Sequence, residues 1–423
     1  MNKTRLRRTI WTGVMAMAVG TSGCAQQAEP TEEQGVFPVG MWVSPPVEEL
    51  TNERYEEIAG AGINVVIGFQ EWTGGEEAQR KSLDLAAAAG MRVLVRDPEL
   101  LAIDPADEEA LAERVLRYQD HEAYMGHVFY DEPAMEQYAQ LSTLAGTYRT
   151  LVPEGLAYVN LLPTYSTLHQ RGGTYDEYVQ GFIEQFRPEV LSYDHYPFLI
   201  QREGAGSEIT EDYFYNLDYM SRQSVQHKLP FWTFIQTLAF NDSHRDPTEA
   251  EIRWQVFTSL AYGAKGVQYF TYWTPDNGRE WFGDAMIDRQ GERTAHYDQV
   301  KRVNEALQTM GPHLLGLTLQ GMHYHGFEPP LVDGEGTIAE AIIEVAGDPA
   351  LVGSFVDRRG TSSALVVGRS YEAPTALELT LDASVDEVLV IQGTTSETRR
   401  PNGDRKLRLE LAPGEGAWLQ FRT

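Results

Sequence analysis

The chain has 423 residues, with 62 Asp and Glu against 34 Lys and Arg, a formal net charge of −28 and a single cysteine. So acidic a surface repels nucleic acid and anionic lipid, and one cysteine excludes a disulfide framework or a thiolate metal site. The length suffices for one large domain and a smaller one, held by apolar cores alone.

Residues 1–23 read as an export leader. Lys3, Arg5, Arg7 and Arg8 are basic, and the apolar stretch from Ile10 to Val19 is too short for a permanent membrane span. Thr21-Ser22-Gly23 then lead into Cys24, a pattern that resembles a bacterial lipoprotein signal in which Cys24 is lipidated and becomes the new N-terminus. An ordinary secretory signal is the alternative, and Arg7-Arg8 leaves a twin-arginine route open. Removing the leader takes away four positive charges and moves the net charge from −28 to about −32. The expected place is outside the cytoplasm, with a lipid anchor at Cys24, on the periplasmic or cell-surface face of an outer membrane. Residues 24–36, rich in Gln and Glu, read as a flexible tether.

From residue 37 to about 312, short apolar runs alternate with helical patterns. The runs are Val39–Val43, Asn64–Phe69, Arg92–Arg96, His127–Tyr130, Ala157–Leu161, Val190–Tyr193, Phe231–Ile235 and Gly266–Tyr272. Thr51 reads as a helix cap, and Asp104-Pro105 and Asp246-Pro247 as caps followed by first-turn prolines. The junctions "GAGINVV", "AAGMRVL" and "YGAKGVQYF" each stop a helix at glycine and enter a strand buried on both faces. Eight such units predict a (β/α)8 TIM barrel; an open doubly wound sheet is disfavoured because "VGMWVSPP" carries no glycine-rich phosphate loop. The last barrel helix is expected near Thr294–Thr309. Beyond "MGPHLLG", residues 316–423 alternate apolar and polar positions between turns, which predicts a small antiparallel β-sandwich.

In such barrels functional groups close the C-terminal ends of the strands. Those ends carry Trp42, Glu71, Trp72, Asp97, Asp131, Glu132, Asn160, Tyr165, Asp194, His195, Tyr196, Gln236 and Trp273. Carboxylates and amides bond to hydroxyls, and aromatic rings stack on the apolar faces of pyranoses, so the set points to a sugar site. His195, His244 and His296 are far apart, no metal-ligand spacing occurs, and neither a Walker loop nor a nucleophile elbow is present, so no metal or cofactor is expected.

The segments "VFYDEP", "SYDHYPF" and "PTEAEIRWQVFTSLAYGAKGVQYFTYW", followed by "DRQGERTAHYDQVKRVNEAL", resemble the barrel superfamily that includes the family 42 β-galactosidases. That resemblance implies a glycoside hydrolase with an all-β tail and an acid/base glutamate closing strand four, the position of Glu132. It also implies a nucleophilic glutamate closing strand seven, where "PFWTFIQT" offers only Gln236. Asp194 on strand six is the remaining acid, as in the α-galactosidase-like barrels that pair strand-four and strand-six carboxylates. A carboxyl separation of about 5–5.5 Å implies retention and about 6.5–9.5 Å inversion, and non-adjacent strands favour the wider spacing. Strict alternation puts Asp131 and Glu132 on opposite sides, with Pro133 keeping Glu132 extended. Glu132 and Asp194 are therefore the expected catalytic pair, and the other strand-end residues the expected contacts to a neutral oligo- or polysaccharide. A non-catalytic glycan-binding lipoprotein is the alternative, favoured by the missing strand-seven glutamate. A polysaccharide lyase ranks third, because the acid-rich mouth suits no polyanion.

Overall fold

A computed structural model describes residues 35–68, 70–104, 107–200, 209–332 and 336–423. The leader, Cys24 and all of the tether before Gly35 lie outside the described residues, as does the side chain of Trp72.

Eight parallel strands close a barrel in sequence order: Val39–Met41 (β1), Val65–Ile67 (β2), Arg92–Arg96 (β3), Tyr124–Asp131 (β4), Leu156–Leu161 (β5), Leu191–Tyr193 (β6), Phe231–Gln236 (β7) and Gly266–Phe270 (β8). Each apolar run became a strand because both of its faces are covered, one by the barrel interior and one by helices. Thr51 caps the helix Asn52–Gly60 by accepting a bond from the Arg54 amide. The other two caps differ from the expected Asp-Pro pairs. Asp107 caps Glu108–Val115, and Thr248 caps Glu249–Ala261. At Thr248 a capping box decides the position, because the Glu251 carboxylate takes the Thr248 amide at 2.8 Å while also pairing with Arg245. The last barrel helix runs from Ala295 to Leu315, through Pro312.

The chain after that helix is antiparallel. A six-stranded sheet begins at Thr318–His325 and ends at Gly416–Arg422, and a three-stranded sheet faces it. Val352, Val366, Leu379, Leu409 and Leu419 fill the space between the two sheets. Leu351, Phe355 and Trp418 instead join the barrel's core, and His313 stacks on Trp418 at 4.9 Å. The sandwich is thus bolted to the helices on the flank of the barrel, away from the pocket described below.

One strand is irregular. Along β4 and β5, Val128 pairs with Tyr158 and Tyr130 with Val159, leaving Phe129 as an extra residue. Phe129 turns outward onto Tyr148 and Phe186. The bulge reverses the alternation, so Asp131, paired with Asn160, faces the barrel interior. Gly126, at φ +154°, carries β4 past β5 so closely that a Cβ there would lie 2.1 Å from the Leu156 carbonyl oxygen. Gly126→Val is therefore expected to lower Tm by roughly 5 °C or more. Gly403→Ala, with open space around it, should change little. Calorimetry that finds the two variants equally stable would contradict the close-approach argument.

Candidate active site

A pocket of about 910 Å³ opens at the C-terminal ends of the strands. Its wall includes Trp42, Asp131, Glu132, Asn160, Tyr165, Asp194, Tyr196 and Trp273 from the expected set. Asp131 and Glu132 both reach it, contrary to the alternation argument. Glu132 is not extended: its φ is +57°, in the left-handed region, and its amide donates to the Asn160 carbonyl at 2.8 Å. The tertiary hydrogen bond and the bulge together override the extended preference that Pro133 alone would impose.

Three carboxyl groups therefore converge. Glu132 and Asp194 both face the pocket, near enough for each to bear on the other's proton. Asn160 Nδ2 donates to Asp194 at 2.9 Å and reaches Asp131 at 3.5 Å. The amide is held from below: Ser192 Oγ donates to Asn160 Oδ1 at 3.0 Å and accepts from Gln268 Nε2 at 2.9 Å. The Tyr158 hydroxyl lies 2.7 Å from both Ser192 Oγ and Gln268 Oε1. A polar column thus crosses the barrel from β8 to β6 beneath the pocket.

The electrostatics follow from this crowding. Glu132 is open to the pocket's solvent yet walled by protein, and desolvation, with Asp131 and Glu280 beside it, pushes its carboxyl up to about 7. Asp194 is pushed well above the usual range by burial, then by Glu132 and Asp131, while Asn160 pulls it back. Asp131 is raised by burial and pulled down by the Arg96 guanidinium and by Asn160. Glu132 and Asp194 lie close enough that their titrations influence one another. Aromatic rings line the remaining walls: Tyr196 packs on Phe270 at 4.9 Å and on Phe240 at 5.3 Å, and Trp42 meets Phe234 edge-on at 5.7 Å. His244 stacks on Phe240 at 4.0 Å, and burial lowers its pKa to about 4, so it serves as a neutral ring.

Four expected contacts lie outside the pocket wall. Glu71 is buried, accepting from Ser44 at 2.6 Å and Ser82 at 3.0 Å, and its neighbour Gln70 lines the pocket in its place. Asp97 turns outward to Arg114 at 2.8 Å. His195 sits behind Tyr165, at 2.9 Å from Asn216 and 2.6 Å from Thr210. Gln236 is fully buried; its Nε2 donates to the Arg245 carbonyl at 2.8 Å and its Oε1 accepts from the Phe198 amide at 3.1 Å. Its side chain is spent on stitching two loops together. The wall residues missed in the sequence include Gln70, Phe234, Phe240, Asn241, His244, Phe270 and, from the 24-residue stretch between β8 and the last barrel helix, Asn277, Glu280, Phe282 and Arg289. The length of that stretch was the available signal, since long loops at this end of a barrel carry function.

Residues 177–310 match the family model of the glycoside hydrolase family 42 β-galactosidases. The matched segment holds Asp194 and the strands β6 to β8, but not Glu132. Among solved structures, a catalytic mutant of Gan42B, a family 42 β-galactosidase from G. stearothermophilus, is similar with a TM-score of 0.62 and 10% identity, over 93% of this chain and 99% of that chain. A family 5 glycoside hydrolase from Bacteroides vulgatus gives 0.56 and 12% identity, over 91% of this chain and 89% of that chain. For the β-galactosidase from the psychrophilic Marinomonas ef1 the TM-score is 0.51 and the identity 12%, over 66% of this chain and 62% of that chain, so this chain spans under two thirds of its length. At such identities the likeness is one of fold. No curated protein matches the chain.

The raised pKa of Glu132 has a sign. A carboxyl lifted from 4.5 to about 7 on folding binds its proton more tightly in the native state, so its contribution to stability is full below 4.5 and is lost as pH rises through 7. The Tm of the parent should fall over that window, and Glu132→Gln should flatten the fall. Identical Tm profiles for the two proteins would contradict the assignment.

Proposed function

We propose that the protein is a retaining glycoside hydrolase acting on a neutral oligo- or polysaccharide, with Glu132 as acid/base and Asp194 as nucleophile. The observation that carries this reading is that Glu132 and Asp194 share one aromatic-walled pocket at the C-terminal ends of the barrel strands. The family 42 match and the shared fold of the barrel hydrolases support the reaction class.

One proton on the pair is the count the chemistry needs. The reactive state in this mechanism has Glu132 protonated and Asp194 ionised, and the Asn160 donor steadies Asp194 in that form. The Asp194 carboxylate attacks the anomeric carbon as the glycosidic bond breaks, and the Glu132 proton passes to the departing oxygen. Glu132, now a carboxylate, takes a proton from water; the resulting attack on the same carbon releases Asp194 and restores the proton to Glu132. Asp131 lies within reach of a substrate hydroxyl and orients the pair through Asn160.

A protein that only binds glycans has no use for two carboxyls crowded into one pocket, a costly arrangement. A uronate-cleaving lyase fits less well still. Arg289 is the pocket wall's one Lys or Arg among the described residues, and its Nη2 donates to the Pro275 and Phe282 carbonyls at 3.0 and 3.1 Å.

Glu132→Gln and Asp194→Asn are each expected to lower kcat on an unactivated glycan by about 10³-fold or more, on the order of 4 kcal/mol of barrier, with binding nearly intact. Asp131→Asn should keep appreciable activity. The parent's kcat/KM should decline as pH rises past about 7, where Glu132 loses its proton. A Glu132→Gln protein that turns over a cleavable glycan at near-parent rate would remove Glu132 from the mechanism.

A further inference from the structure

Behind the pocket wall, one guanidinium is tied to three separate pieces of that wall. Arg54 belongs to the helix Asn52–Gly60, and its side chain is 13% exposed. Its guanidinium carbon stands 5.2 Å from the centre of the Trp273 ring, within cation–π range, and Trp273 lines the pocket beyond the end of β8. Arg54 Nη2 donates to the Glu49 carboxylate at 3.1 Å and to the Gly291 carbonyl at 2.9 Å. Glu49 lines the pocket from the connection after β1, and Gln290, the neighbour of Gly291, lines it from the long stretch after β8.

The guanidinium is itself held. Glu57 accepts from Arg54 Nη1 at 2.6 Å, and also from the Tyr272 hydroxyl and from Arg293, each at 2.7 Å. With Glu49 and Glu57 both bonded to it, Arg54 is neutralised, so what it brings to the pocket is position rather than charge. The Tyr272 and Trp273 amides donate to the Trp42 and Val43 carbonyls at 2.9 and 3.1 Å, which fixes the backbone from which the indole projects. Gly291, at φ +84°, lets the loop close on the ring edge: a Cβ there would lie 3.2 Å from Trp273 Cη2 and 3.1 Å from Arg54 Nη2. A ring packed so tightly on a bonded support is what a stacking surface requires.

We propose that Arg54 is a positioning residue: it holds the Trp273 indole in the plane on which a pyranose ring stacks, and so acts on substrate binding without touching substrate. This rests on the hydrolase reading above, which puts the sugar in this pocket. The competing role for Arg54 is an ion pair that only braces the first helix against the loop after β8. The two roles differ in one respect. A brace costs the same whether or not Trp273 is present, whereas a positioning residue has nothing left to lose once the indole is gone.

The test is a double-mutant cycle on Kd, read by titration calorimetry in the Glu132→Gln protein, with the tightest binder from a panel of galacto-, gluco- and xylo-oligosaccharides. Arg54→Met should raise Kd about tenfold where Trp273 is present, and by less than about twofold in the Trp273→Ala background. With Glu132 intact, Arg54→Met should raise KM and leave kcat within about twofold of the parent. Where Arg54→Met fails to fold, Arg54→Lys carries the same cycle; it keeps the charge and loses the fork, and about threefold replaces tenfold. Equal losses in both backgrounds, or no loss in either, would overturn the positioning role while leaving the hydrolase reading in place. A completed cycle with a parent that cleaves none of the sugars overturns the hydrolase reading alone. A protein that binds none of them overturns both.

Discussion

Three carboxyl groups pressed together cannot all be ionised, and that constraint shapes the centre of this protein. Asp131 raises the proton affinity of Glu132, and Glu132 and Asp131 together raise that of Asp194. The cost is offset by one amide and one guanidinium. Asn160 donates to Asp194 and Asp131, and Arg96 stands against Asp131 with its guanidinium over the Trp42 ring at 5.4 Å. Asn160 can face the acids only because Ser192, Tyr158 and Gln268 hold its other end. A layer of the barrel interior that would ordinarily be branched and apolar is polar here, and each of these groups finds a hydrogen-bond partner.

The walls complete the device. Tyr196, Phe234, Phe240, Phe270 and Trp42 surround the acids with apolar, low-dielectric surface, which strengthens every charge interaction inside. They also match the apolar faces of a pyranose, while Asn160, Asp131 and Gln70 supply partners for its hydroxyls. His244 stays neutral within this stack and brings no positive charge to the pocket.

Much of this was legible in the residues. The apolar runs marked all eight barrel strands, and the position of Glu132 at the end of the fourth was readable from "VFYDEP". The direction of side chains at strand ends was not. It depends on the Phe129 bulge and on the Glu132 amide reaching the Asn160 carbonyl, both set by pairing with a strand some thirty residues away. For the same reason Glu71 and Gln70 exchange their expected places, since the turn after β2 directs the second outer residue inward to Ser44 and Ser82. Asp97, His195 and Gln236 have the right chemistry for a sugar site but are consumed by Arg114, by Asn216 and Thr210, and by loop backbone. A polar residue at a strand end signals function only when no nearer partner claims it.

The central claim is that Asp194, not a group on β7, meets the anomeric carbon. Its most direct test is to trap the intermediate with a 2-deoxy-2-fluoro glycosyl fluoride of a sugar the protein cleaves, then locate the adduct by peptide mass spectrometry. A covalent sugar on the peptide containing Asp194, absent from Asp194→Asn, is the predicted result. An adduct on any other carboxylate, or full turnover of glycans with inverted product and no adduct, would contradict it.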